Sequence, residues 1–161
     1  MKTAIVSGTF DPITVGHLDV IVRASKLFDR VVVAVSSNSE KKGLFSDEAR
    51  VAAAKASVEG IENCSVALCE GLLAEFCKRY ENPVIVRGAR TGSDFDYERS
   101  MFVINKELAS VDTVIFPCES GMDHISSTYV RELIKYGKDI SNVVPLGAKA
   151  VIEDYFSNEK H

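Results

Sequence analysis

The stretch Thr3-Ala4-Ile5-Val6-Ser7-Gly8-Thr9-Phe10-Asp11-Pro12-Ile13-Thr14-Val15-Gly16-His17 decides the fold. Thr3 to Val6 form a short β-branched run that ends at Gly8. From Gly16 to Phe28 the apolar residues Leu18, Ile21, Val22 and Phe28 fall on one helical stripe. Gly8 permits close backbone approach, and Gly16 does the same where the helix begins. Amides at a helix N-terminus, together with its dipole, favour an anion. His17 on the first turn would donate a hydrogen bond to a phosphate oxygen. A glycine-rich turn followed by an exposed histidine is the plainer account, and this stretch alone does not choose between them. It is neither the GxGxxG dinucleotide pattern nor the GxxxxGK(S/T) P-loop.

The rhythm continues outward. Val31 to Val35 is a continuous apolar strand of the kind buried on both faces of a parallel sheet. A polar loop, Ser36 to Phe45, leads to a helix start at Ser46-Asp47-Glu48, where a hydroxyl cap and early acids suit the orphan amides. Further strands are expected at Ser65–Leu68, Pro83–Val86 and Thr113–Phe116, with helices at Leu72–Tyr80, Asp94–Leu108, Ser126–Tyr136 and Leu146–Phe156. Five strands alternating with helices imply an α/β, mostly parallel, doubly wound sheet. Ligands bind such sheets beyond the carboxyl ends of the strands, near the switch in strand order.

A length of 161 residues fits one domain, residues 1–161, and a core without staples. Apolar residues at 46% and charged ones at 26% exclude a disordered tail, a fibre and a membrane protein. The net charge of −4 speaks against a general nucleic-acid binder. Cys64, Cys69, Cys77 and Cys118 show no CxxC pair or zinc-like spacing and read as structural thiols. With no signal-peptide h-region and no transmembrane stretch, the expected address is the cytoplasm.

Four loops carry candidate chemistry. The first is quoted above. The second holds Ser39-Glu40-Lys41-Lys42-Gly43, read either as solvated lysines or as charge that folds over polyphosphate. The fourth strand runs into Arg87-Gly88-Ala89-Arg90, and arginine at the end of a buried strand needs compensation. The fifth leads to His124-Ile125-Ser126-Ser127-Thr128-Tyr129-Val130-Arg131, where three hydroxyls stand at a helix start that needs one for capping.

Thr14-Val15-Gly16-His17 after Gly8-Thr9-Phe10-Asp11-Pro12, with Ile125-Ser126-Ser127-Thr128 late in the chain, resembles the nucleotidyltransferase superfamily, Rossmann-like enzymes with an (H/T)xGH signature. Adding the lysine loop and Arg87-Gly88-Ala89-Arg90 followed by Asp94-Phe95-Asp96-Tyr97-Glu98, the chain resembles the bacterial phosphopantetheine adenylyltransferases from Thr3 to about Phe156. That family joins ATP and 4′-phosphopantetheine into dephospho-coenzyme A and pyrophosphate. The resemblance implies catalytic roles for His17, Lys41 and Arg90. Nucleotide contacts are implied at Thr9, Phe10, His17, Gly88, Ala89, Arg90, Glu98, Met122, Asp123, His124, Ile125, Ser126, Ser127 and Thr128. Acceptor contacts are implied at Thr9, Lys41, Leu73 and Arg87. It also implies a homohexamer and feedback binding of coenzyme A. Mg2+ is expected to arrive with ATP, since no acidic cluster marks a protein cage.

The chemistry suits those residue types. A phosphate monoester needs no base to become a nucleophile, so positioning and fixed positive dipoles carry the catalysis. Ser7 departs from the proline common before the Gly-Thr pair and is expected to alter turn stiffness only. Thr128 replaces a serine of some relatives, and Met122 and His124 lie in a variable stretch.

Overall fold

A computed structural model describes residues 1–37 and 42–159. Its strands are β1 (Thr3–Gly8), β2 (Arg30–Ser36), β3 (Cys64–Cys69), β4 (Pro83–Ala89) and β5 (Asp112–Pro117). They form one sheet in the order β3-β2-β1-β4-β5, every neighbouring pair parallel. The helices among the described residues are α1 (Val15–Leu27), α2 (Asp47–Ser57), α3 (Leu73–Cys77), α4 (Gly92–Ala109), α5 (Ser127–Lys135) and α6 (Leu146–Glu159). None is long and apolar enough to cross a membrane.

Strand periodicity builds two layers of core. Ala4 and Val6 of β1 with Val31, Val33 and Val35 of β2 face one side, packing with Ile21 and Ala24 of α1, Ala53 and Ala54 of α2, Val130 of α5 and Ile152 of α6. Ile5, Val32, Ala34 and Ile85 face the other side, packing with Phe76 and Cys77 of α3. Helices thus cover both faces, as a parallel sheet requires. All four cysteines are free; burial pushes the Cys64 thiol up to about 11 and Cys77 up to about 12, which leaves both unreactive.

The expected helix Leu72–Tyr80 is shorter than its periodicity suggested. Arg79 N–H bonds Phe76 O and Tyr80 N–H bonds Cys77 O, so three-residue turns replace α-helix after Cys77. This is a correction to the sequence reading.

β1 and β4 are neighbours whose connections leave in opposite directions, α1 onto one face and α4 onto the other. Among the described residues no connecting helix runs between β1 and β4 at their carboxyl ends. The gap between those ends is where the loops Ser7–Asp11 and Arg87–Arg90 meet.

The seam between α2 and α6 is close-packed at Gly147, where a Cβ would collide with the carbonyl oxygen of Ala56. Gly147→Ala is expected to lower stability by about 1–3 kcal/mol through overpacking, measured by urea denaturation.

Candidate active site

A cleft of about 720 Å³ opens at this switch point. It is lined from all four loops singled out in the sequence, the second represented by Lys42, Gly43 and Leu44. Thr9, Phe10, His17, Arg87, Gly88, Ala89, Arg90, Glu98, Met122, Ile125, Ser126 and Ser127 all line it. Asp123, His124 and Thr128 do not; the first two stand on the exposed approach to α5, and Thr128 is exposed on its first turn. Leu73 belongs to an adjoining cavity of about 210 Å³ that shares Ser7, Gly8, Thr9, Arg87, Tyr97 and Glu98 with the cleft. Lys41 lies outside the described residues.

His17 is built into the start of α1. Thr14 caps the helix, its hydroxyl accepting from His17 N–H at 3.3 Å, while Thr14 N–H donates to His17 Nδ1 at 3.0 Å. This reciprocal pair is a capping box with histidine in place of the usual acid or amide. Because Nδ1 accepts, the ring proton sits on Nε2. The Phe10 ring meets the imidazole edge-on with centroids 4.9 Å apart. Burial, then the charges of Arg87 and Arg90, push the imidazole down to about 4. At neutral pH His17 is therefore an uncharged N–H donor.

Phe10 holds φ at 50°, a left-handed conformation that a bulky residue rarely adopts. Its ring packs where Gly8 has no side chain; a Cβ there would lie 3.1 Å from the Phe10 ring. The first loop is held by arginines from three different elements. Arg87 of β4 donates to Ser7 O, Arg50 of α2 donates to Thr9 O at 2.6 Å, and Arg131 of α5 donates to Asp11 O at 2.8 Å. Asp11 in turn accepts from Leu44 N–H at 2.9 Å and Phe45 N–H at 3.0 Å, tying the second loop to the first.

Arg87 is compensated by Glu98, whose Oε1 accepts from Nε at 2.9 Å and lies 2.8 Å from Nη2. Glu98, expected at the nucleotide, is thus committed to the arginine beside it. Ser7 does more than set turn stiffness: its hydroxyl accepts from Arg87 Nη1 at 3.3 Å. Arg90 is oriented by Asp94 Oδ2 at 3.4 Å and by Ile125 O at 3.4 Å.

The three hydroxyls at α5 each have a structural partner. Ser126 accepts from Tyr129 N–H at 3.1 Å as the cap, Ser127 donates to Pro12 O at 2.8 Å, and Thr128 accepts from Arg131 at 3.1 Å. Ser126 and Thr128 accept and so keep their O–H donors, which the start of α5 offers to an anion together with its first free amides and its dipole. Arg50 and Arg131 line the cleft, and the sequence reading assigned them no role. The available signal for Arg50 was its place on the buried stripe of α2 with Ala53 and Ala54. Among the described residues no group of three or more His, Cys, Asp or Glu could hold a metal ion.

The unfolded chain takes the His17 proton near the ordinary 6.5 and the folded chain near 4. Between these values the unfolded state binds more protons, so this contribution to stability is full above 6.5 and falls as pH drops toward 4. The ring resonances of ligand-free protein are expected to titrate near 4 by NMR. Wild type should also lose stability relative to His17→Gln between pH 7 and 5.

The sequence profile of the cytidylyltransferase-like family matches residues 5–133. A phosphopantetheine adenylyltransferase of Cutibacterium acnes is 41% identical over 153 residues, covering 95% of this chain and 98% of the relative. One from Paenarthrobacter aurescens is 44% identical over 160 residues, covering 99% and 95%, and one from Clostridium beijerinckii is 43% identical with 98% of each chain covered. A crystal structure from Vibrio parahaemolyticus, described as that of a candidate nicotinate-nucleotide adenylyltransferase, superposes with a TM-score of 0.68 at 21% identity over 96% of this chain and 93% of that one, which shows the shared fold. With the (H/T)xGH histidine at the switch point of an all-parallel sheet and full-length identity above 40%, this chain belongs to the phosphopantetheine adenylyltransferase family.

Proposed function

We propose that this protein transfers the adenylyl group of ATP to 4′-phosphopantetheine, giving dephospho-coenzyme A and pyrophosphate. The observation that carries the reading is a neutral His17 N–H donor set beside Arg87 and Arg90 in one cleft at the switch point. An oxygen of the acceptor phosphate attacks the α-phosphorus of ATP, and the bond from that phosphorus to the β-phosphate bridging oxygen breaks. Pyrophosphate leaves with the electron pair. The acceptor is already anionic, so no base is needed.

The task of the chain is to hold two anions together and bear the charge that grows on the α-phosphate. His17 Nε2–H donates to a nonbridging α-oxygen. Arg90 and the amides of α5 take the departing phosphates. Thr9 and Arg87 receive the acceptor phosphate, with Lys41 assigned to the reacting phosphates by family resemblance. Magnesium, if carried in with ATP, would supply further charge neutralisation on the nucleotide phosphates.

The adjoining cavity suits the pantetheine arm. Leu73, Met101 and Phe102 offer apolar walls for its methylenes, and Asn105 and Thr113 offer polar partners for its amides. Thr113 Oγ1 is buried with no partner of its own. Coenzyme A carries the same arm and is expected to compete there. Self-association into a homohexamer is supported by apolar surface on α4 and β5, where Phe95, Val103, Ile104, Leu108 and Val114 are exposed. Light scattering is expected to give six times the chain mass of 17.6 kDa.

Turnover with ATP, magnesium and 4′-phosphopantetheine should release dephospho-coenzyme A and pyrophosphate, read by mass and coupled detection. His17→Ala and His17→Gln are both expected to lower kcat/KM by about 100-fold or more. Glutamine, a natural residue at this capping-box position, should leave the melting midpoint near wild type. Product formed only with nicotinamide mononucleotide or glycerol phosphate would keep the chemistry and overturn the acceptor.

A further inference from the structure

We propose that Arg50 is a positioning residue for the transfer step, holding the Thr9–Phe10 peptide so that the Phe10 ring seats against His17. The inference deepens the reaction proposed above and rests on it. Arg50 leaves α2 and is 3% exposed, yet it reaches the floor of the cleft. Its Nη1 donates to Thr9 O at 2.6 Å and to Ser36 O at 2.8 Å, so one nitrogen joins the chain just beyond β1 to the last residue of β2. Nη2 pairs with Asp47 Oδ1, and Asp47 Oδ2 accepts from Ser37 Oγ. The guanidinium is therefore fixed on two sides of its plane.

The carbonyl it grips belongs to the peptide whose nitrogen begins the φ rotation of Phe10. That rotation stands at 50°, where a phenylalanine is strained and would relax if its neighbours allowed. A charge-assisted bond to Thr9 O fixes the peptide plane and so the starting point of that rotation. The ring is then delivered onto the imidazole at 4.9 Å and into the space beside Gly8. Arg50 Nε has no partner among the described residues, so the side chain is kept buried despite an unmet donor there. A residue serving packing alone would be better replaced by an apolar one.

Lysine keeps the charge but cannot present a planar fork to two carbonyls and a carboxylate, and methionine keeps neither. Arg50→Lys and Arg50→Met, assayed well below their melting midpoints, are expected to lower kcat by about 10- to 100-fold with the KM for ATP and for 4′-phosphopantetheine little changed. The His17 ring-proton resonances of the ligand-free variants should shift as the Phe10 ring leaves its edge-on seat. Asp47→Asn, which loosens the guanidinium without removing its bonds to the carbonyls, should move the same resonances less. If Arg50→Met melts lower but keeps wild-type kcat and unmoved His17 resonances, Arg50 is structural only and the proposal is overturned. Should the Met variant fail to fold, the same outcome in the Lys variant overturns it. A wild-type protein that made no dephospho-coenzyme A would instead overturn the acceptor reading, and the His17 resonances would still decide the link between Arg50 and Phe10.

Discussion

Three carbonyl oxygens of the first loop, those of Ser7, Thr9 and Asp11, each accept from an arginine of a different element, and the cleft depends on this arrangement. Beyond Gly8, where β1 ends, the chain has no ladder to hold it. Here Arg87, Arg50 and Arg131 bind its main chain from β4, α2 and α5, so its shape reports the packing of all three. The arginines gain as well. Carbonyl oxygens orient the guanidinium groups and leave their other N–H donors to carboxylates. A chain with a net charge of −4 thus gathers Arg50, Arg87, Arg90 and Arg131 at one edge, with Asp47 and Glu98 offsetting what burial of the first two would otherwise make too costly and Asp94 pairing with Arg90.

Burial first, and then the charges of Arg87 and Arg90, explain the state of His17. The capping box aims its Nε2–H, and the neighbouring positive charges oppose a second proton on the ring. One local constraint therefore starts α1, selects the tautomer and keeps the donor neutral. The aromatic contact from Phe10 adds orientation, since an imidazole capped at one nitrogen can still swing about its bonds.

The fold was legible because each strand is a short, largely apolar run, β-branched in all but β3, and each face of the sheet is covered by a helix with its own stripe. The loops that meet at the site were legible for the same reason, since strand order places their ends together. What escaped was the partner of each side chain. Ser126, Ser127 and Thr128 read as three hydroxyls at a helix start, and no local pattern shows that Ser127 commits its O–H to Pro12 O while Ser126 and Thr128 accept from the Tyr129 amide and Arg131. Arg50 and Arg131 act across 41 and 120 residues of sequence, and no local spacing encodes such a contact. The capping box of Thr14 was hidden because its third residue is histidine where the usual pattern has Glu or Gln. Leu72–Tyr80 read as one helix because periodicity marks which face is buried and not where the hydrogen bonding tightens.

Main-chain anchoring of the first loop has an evolutionary consequence. Every amino acid, proline included, supplies a carbonyl, so the main-chain contacts from Arg87 and Arg50 do not depend on which side chains occupy positions 7 and 9, whereas the Asp11 carboxylate has partners of its own. Ser7 adds a hydroxyl contact to Arg87 that a proline would lack, but the carbonyl contact is common to both. The loop can drift at such positions, and adjust its grip on a substrate, while the scaffold that shapes it is inherited unchanged.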